Sequence, residues 1–238
     1  MRIPAGARLS PAAADFVAQW DLLVDEAPGP VREPSDVRSE GARAPWDVPS
    51  RFPVAPSDAP LCTACGSAVR DKAAGQTQLN ATHYSAKTHP RIVLRGRVDS
   101  LHAFVLLAQH QALSTGKSEA AASLGSLAAY CRELTSAEYN ERPVADAVID
   151  GLDFEAIHRV THDPRAELGI DHLTIDGSAS LLHHLLNVLR TQSREVEIIA
   201  LEAFPSPHHP YGASICHALN RFSSIAYYLQ LRLAVSEQ

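Results

Sequence analysis

Gly177-Ser-Ala-Ser-Leu-Leu-His-His-Leu-Leu-Asn-Val-Leu-Arg-Thr-Gln-Ser-Arg-Glu-Val-Glu-Ile-Ile-Ala-Leu-Glu-Ala-Phe204 decides the fold. Leu182, Leu185, Leu189, Val196 and Ile199 recur at helical spacing, so one long amphipathic helix is predicted over 177–204. Asp176 stands where it can cap that helix, and Pro205 and Pro207 stop it. Working outward, Ile215, Leu219, Phe222, Leu229 and Leu233 predict a second long helix over 213–236. Further helices are predicted over 97–113 and 117–138, with a broken segment of short helical turns at 143–170. No alternating strand pattern stands out beyond the first sixty residues. The body of the chain therefore reads as mainly α, a helical bundle.

The N-terminal part reads differently. Ser10 with Pro11 marks the start of a short helix within 8–25, and Trp20-Asp-Leu-Leu-Val24 is strand-like. Eight of the sixteen prolines fall between Asp25 and Pro60, a stretch read as a linker or covering loop. The expected division is a small irregular N-terminal segment with its Pro-rich linker (1–60), a subdomain around Cys62 and Cys65 with a polar loop (61–95), and the bundle (96–238). A chain of 238 residues, 45% hydrophobic and 20% charged, suits one sizeable core. A formal charge of −6 argues against a general nucleic-acid binder. No apolar run approaches the roughly 18 residues of a membrane span. The first residues carry no signal-peptide core, and four cysteines make no disulfide framework, so a reducing cytoplasmic setting is expected.

Two basic constellations point to an anionic ligand. Arg190, Arg194 and Glu197 stand at i, i+4 and i+7 on one helical face, flanked by Leu186 and Leu201, with His183 two turns earlier. Arginine suits a triphosphate because its planar fork stays charged and donates in pairs. The same spacing also suits an Arg–Glu network between helices, and spacing alone does not choose. Upstream, Ser85, Lys87, Arg91, Arg95 and Arg97 give five phosphate-competent side chains before a helix whose first turn would hold Asp99. No P-loop and no G-x-G-x-x-G precedes a helix.

Cys62-x-x-Cys65 followed by His83 and His89 approximates a tetrahedral metal set with a long middle spacing, for which Zn²⁺ or Fe²⁺ would serve. Cys131 and Cys216 sit on apolar helical faces and read as buried thiols. His183 and His184 point about 100° apart and cannot chelate together. His208 and His209, between Pro207 and Pro210, read as solvated.

Three motifs in order resemble a known family. Lys87-Thr-His-Pro90-Arg91-Ile92 followed by Gly96-Arg-Val98-Asp99-Ser-Leu101 resembles the K-D-D-P-R-V…G-T-V-D-E-L segment of PduO-type ATP:corrinoid adenosyltransferases. Arg190-Thr-Gln-Ser-Arg194-Glu-Val-Glu197 resembles that family's R-x-x-x-R-x-x-E helix, and Leu219-Asn220-Arg221-Phe222-Ser223 its C-terminal L-N-R-L-S. The ethanolamine-utilisation (EutT) branch is more similar still, through Cys62, Cys65, Thr82-His83-Tyr84-Ser85-Ala86 and the early Arg8-Leu9-Ser10-Pro11-Ala12-Ala13.

The resemblance implies a five-helix bundle, a homo-oligomer (dimer or trimer) with ATP sites between subunits, and transfer of the 5′-deoxyadenosyl group of ATP to the cobalt of cob(I)alamin. It implies that Ser85, Lys87 and Arg91 meet the ATP phosphates, that Arg194 stabilises the triphosphate, and that Arg190 pairs with Asp99. Glu197 and Asn220 would bind nucleotide or its Mg²⁺, Arg221 would assist, and Cys62, Cys65 and His83 would hold the metal. Leu173, Ile175 and Phe204 are candidates for an apolar wall against the corrin. A cobalamin reductase and ethanolamine ammonia-lyase are the implied partners, with a bacterial microcompartment as an implied location. Ser100 and His102 depart from the family glutamate and asparagine, and the glycine-rich T-G-D segment is absent. Pro49 and Leu61 stand where the branch's metal motif has His and a first Cys. The competing reading is a zinc-stabilised helical binding or regulatory protein without catalysis.

Overall fold

The computed structural model describes residues 59–238. The helix expected near Ser10, the strand-like Trp20–Val24 and nearly all of the proline-rich stretch lie outside the described residues.

The described chain opens with a small sheet that the sequence reading did not anticipate. Strands β1 (Leu61–Cys62), β2 (Gln76–Asn80) and β3 (His83–Ala86) lie in the order β1-β3-β2, with β1 parallel and β2 antiparallel to β3. The strands are short and polar, and in β2 only Leu79 is buried. Backbone pairing holds them rather than an apolar face, so no alternating hydrophobic signal exists to read.

Helix α1 (Pro90–Ser114) begins seven residues before the predicted start. Pro90 occupies its first turn, and the His89 Nδ1 atom accepts the Arg91 N–H at 3.2 Å, satisfying one of the orphan donors. Arg91, Arg95 and Arg97 are therefore helical rather than part of a loop. Asp99 lies in the third turn, too far from the N-terminus for the dipole role expected of it. Helix α2 (Ser118–Tyr139) follows after a three-residue connection, which makes α1 and α2 antiparallel neighbours.

The segment expected to be broken contains α3 (Phe154–His162) and α4 (Pro164–Leu168), capped by Asp153 and Asp163. Helix α5 (Leu181–Ala203) is capped by Ser180, whose hydroxyl accepts the His183 N–H. The expected cap, Asp176, instead takes the N–H and hydroxyl of Ser178 in a turn ahead of the helix. Helix α6 (Gly212–Ser236) packs along α5. His208 is exposed as expected, but His209 is half-buried: its ring centroid lies 4.8 Å from that of Phe204 and 4.5 Å from that of Tyr211, and its Nδ1 accepts the Gly212 N–H. Gly212 is required where it stands, because a Cβ there would lie 2.7 Å from that of Phe204 and closer still to its ring.

The four long helices bury one core. Leu94, Leu101 and Val105 of α1 meet Leu124, Leu127 and Leu134 of α2, Leu186 and Leu189 of α5, and Leu219, Phe222 and Ile225 of α6. Each such side chain contributes roughly 1.5–3 kcal/mol by leaving water. Cys131 and Cys216 are buried as expected, and burial pushes both thiols above their ordinary values. No helix among the described residues is long and apolar enough to cross a membrane.

An ionic clasp fastens the sheet to this core. Glu138, 3% exposed, accepts from Arg91 Nε and from both Nε and Nη2 of Arg95. Arg95 also donates to the Gln78 and Leu79 carbonyls of β2, at 3.1 and 2.7 Å. Glu141 completes the clasp by accepting from Arg91 Nη1 and Asn80 Nδ2, each at 2.7 Å.

Candidate functional site

The predicted arginine stripe lines a cleft. A cavity of about 570 Å³ opens between the end of α3, the 170–176 loop, α5 and α6, and Arg190 and Arg194 form part of its wall. The partners form no Arg–Glu network along this stripe among the described residues. Arg190 donates through Nε and Nη2 to Asn187 Oδ1, at 3.2 and 3.0 Å, which aims its guanidinium along α5. Glu197 is taken by Asn220, whose Nδ2 donates to it at 2.7 Å across the α5–α6 seam. Arg194 is exposed, and among the described residues no acceptor pairs with it. Two guanidiniums thus face a cleft that no carboxylate of the described residues lines. A wall of this kind complements an anion.

The remaining expected residues fall in other places. No ion pair joins Asp99 to Arg190 among the described residues; Asp99 is exposed on α1. Arg221 lies one residue off the cleft face, with Nη1 3.2 Å from His158 Nδ1 and Nη2 3.7 Å from Glu155. Ser85 is buried in the sheet and accepts from the Thr63 hydroxyl, while Lys87 is exposed just beyond β3. Arg91 is buried in the clasp, its guanidinium carbon 5.5 Å from the centroid of the Tyr211 ring. From Gly212 to Ser223, α6 rises roughly 16 Å at 1.5 Å per residue, so Arg91 and the cleft stand well apart in one chain. His183 is buried at the far end of α5, with Nε2 3.2 Å from Glu237.

Of the candidate apolar residues, Leu173 and Ile175 line the cleft. Phe204 does not: it is 2% exposed, packed against His209 and Tyr211 in the α5–α6 turn. The structure adds residues the reading missed. Ser223, Ser224 and Tyr227 present a polar face on apolar α6, continuing at helical spacing from Asn220, and that period was the available signal. His162 reaches the cleft from the last turn of short α3, and His172 from the irregular 170–176 loop, which has no periodic signature.

The cysteine pair is a compact turn. Gly66, at φ 71°, returns its N–H to the Cys62 carbonyl at 2.8 Å. The backbone N–H and hydroxyl of Ser67, together with the Cys62 thiol, hold the exposed Cys65 thiol below its ordinary value. His83 does not join them. Leu61 pairs with His83 and Cys62 with Tyr84, and alternation along the strands sends Cys62 and His83 to opposite faces. The Cys62 sulfur takes the Gln76 amide at 3.6 Å, whereas His83 Nδ1 lies 2.9 Å from the Thr82 hydroxyl. His89 is engaged as the α1 cap. Among the described residues no three His, Cys, Asp or Glu side chains gather as a metal site, so this donor set does not fit a bound Zn²⁺ or Fe²⁺.

Comparison with known proteins agrees with the geometry. The chain is 30% identical over 178 residues to the corrinoid adenosyltransferase EutT of Escherichia coli K12, covering 74% of this chain and 65% of that relative. It therefore spans just under two thirds of that protein's length. It is 27% identical over 232 residues to the corrinoid adenosyltransferase EutT of Salmonella typhimurium LT2, covering 97% of this chain and 84% of the relative. A family description, cobalamin adenosyltransferase, matches residues 68–233, from the turn after Cys65 to the last turns of α6. That span includes every element that builds the cleft, and the chain belongs to the cobalamin adenosyltransferase family.

Proposed function

We propose that this chain is a transferase that moves the 5′-deoxyadenosyl group of ATP to the cobalt of a reduced corrinoid and releases triphosphate. The observation that carries this reading is Arg194, exposed beside Arg190 in a cleft, with no acceptor paired to it and no carboxylate lining the cleft among the described residues. The cob(I) centre supplies an electron pair to C5′ of ATP. The Co–C bond forms as the C5′–O bond breaks, and the bonding pair leaves on triphosphate. Negative charge grows on the departing oxygen, so guanidiniums fixed against it lower the barrier, and no general base is required. Mg²⁺ arrives with the nucleotide as part of the substrate. Asn187 holds the Arg190 fork in place before the ligand arrives, so less ordering is left to binding. Leu173 and Ile175 give the cleft an apolar side suited to a corrin face and to excluding water.

Within this reading Glu197 and Asn220 extend the polar strip along the α5–α6 seam towards the nucleotide. In a homo-oligomer with sites between subunits, exposed Lys87 from one copy would complete the cleft of the next. The clasp makes Arg91 a positioning residue for the loop that carries Lys87. The 61–95 segment is then a mount for that loop and the 96–238 segment the catalytic bundle. The metabolic role that fits is supply of adenosylcobalamin for ethanolamine breakdown in the cytoplasm or a microcompartment. A cobalamin reductase would act upstream and ethanolamine ammonia-lyase downstream. The reading of a zinc-stabilised, non-catalytic protein has no assembled metal site to support it among the described residues.

The test is release of inorganic triphosphate from MgATP. Release that requires the reduced corrinoid supports the proposal. Release of orthophosphate or pyrophosphate, or release independent of the corrinoid, contradicts it.

A further inference from the structure

The 170–176 loop meets α6 at one polar contact inside the cleft. The Leu173 backbone N–H donates to the Tyr227 hydroxyl oxygen at 3.2 Å, and that hydroxyl lies 3.0 Å from His172 Nδ1. The two rings are nearly parallel, 8° between planes with centroids 6.1 Å apart. The backbone N–H can only donate, so the phenol oxygen is the acceptor there, and the arrangement that satisfies every group has the phenol proton donated to Nδ1. In the neutral ring Nδ1 is then an acceptor, which puts the imidazole proton on Nε2. In the protonated ring Nδ1 donates to the phenol oxygen, and Nε2 again carries a proton. In that arrangement His172 offers an N–H donor from Nε2 in either protonation state.

His172 and Tyr227 line the same cleft as Arg190 and Arg194. We propose that His172 is a third anion-binding group of this cleft, its Nε2–H donating to the triphosphate of the nucleotide, with Tyr227 as the positioning residue that locks the ring. The inference rests on the reading that the cleft takes MgATP, and it adds the specificity element. Two guanidiniums attract any polyanion, whereas a ring fixed by the loop and α6 requires a phosphate at one place. It also couples the 170–176 loop, which carries the apolar residues Leu173 and Ile175, to occupancy of the phosphate site.

Calorimetric titration with inorganic triphosphate, then with MgATP, tests this without depending on turnover. His172→Ala should weaken triphosphate binding about tenfold, the order expected for a hydrogen bond to a charged group. His172→Gln places an amide N–H near the position of Nε2 and should stay within about threefold of wild type. Tyr227→Phe removes the lock and should fall between the two. Wild-type binding by His172→Ala, with binding lost in Arg194→Ala, overturns the inference and leaves the reading of the cleft standing. His172→Gln as weak as His172→Ala overturns it as well. If neither triphosphate nor MgATP binds the wild-type chain, the reading of the cleft fails and the inference fails with it.

Discussion

Glu138→Gln removes the charge at the centre of the clasp while keeping its volume. Glu138 is 3% exposed, and its carboxylate is shared by Arg91 and Arg95, whose side chains are 11% and 21% exposed. The variant leaves two guanidiniums facing a neutral amide whose own N–H₂ competes with theirs as a donor. Arg91 keeps Glu141, and Arg95 keeps the Gln78 and Leu79 carbonyls. Breaking a buried pair costs roughly 3–5 kcal/mol, and the retained partners place this case at the lower end, about 3 kcal/mol. At roughly 2–4 °C per kcal/mol for a chain of this size, the melting temperature should fall by about 6–12 °C. Scanning calorimetry measures the fall, and urea unfolding should show a lower midpoint with an unchanged slope. Arg91→Ala and Glu138→Gln should be strongly non-additive, because they remove the same contact. A fall below about 2 °C refutes the clasp. Unchanged melting in Arg91→Ala with about a tenfold rise in the KM for ATP would return Arg91 to the phosphate role that the resemblance implies.

Three further outcomes follow from the geometry. Burial opposes ionisation of Glu141, but the hydrogen bonds from Arg91 and Asn80 outweigh it and hold the carboxyl below its usual value of 4.5. A carboxyl depressed in the folded state contributes stability that is present above the unfolded value and lost as pH falls through the folded one. Wild type should therefore lose more of its urea midpoint than Glu141→Gln between neutral pH and about pH 3.5, and parallel losses would refute this. Gly212→Ala should lower stability by about 1–3 kcal/mol through overlap with Phe204, and a loss under about 0.5 kcal/mol in urea unfolding would refute that contact. Arg190 should show a coupling energy of at least about 0.5 kcal/mol with Asn187 and none with Asp99, measured by double-mutant cycles on the unfolding free energy.

The bundle was legible because α5 and α6 repeat their apolar residues at helical spacing, and Leu182, Leu189, Ile215 and Phe222 are buried as that spacing requires. The start of α1 was hidden by Pro90, the dense arginines and Gly96, which imitate a basic loop; the His89 cap is a side-chain contact that composition does not encode. The sheet was hidden because Gln76–Asn80 and His83–Ala86 are held by backbone pairing and carry no apolar face. Arg190 and Arg194, which line the cleft, could be singled out because charge on an apolar helix requires a partner or a ligand. Cys62 and His83 were read as co-ligands from spacing and from the family resemblance, both blind to the alternation that sends them to opposite faces of the sheet. His172 and Tyr227 were out of reach, since their contact joins a loop to a helix 55 residues away.

The central claim is that Arg194 faces the leaving triphosphate of an adenosyl transfer to cobalt. The most direct measurement is the visible spectrum of chemically reduced cobalamin mixed anaerobically with MgATP and the chain. Wild type should convert it to adenosylcobalamin, and Arg194→Ala should slow that conversion by about 10²–10³ while melting within about 1 °C of wild type, because the side chain is exposed and has no partner among the described residues. No conversion by wild type, or conversion by Arg194→Ala within about threefold of it, would contradict the account.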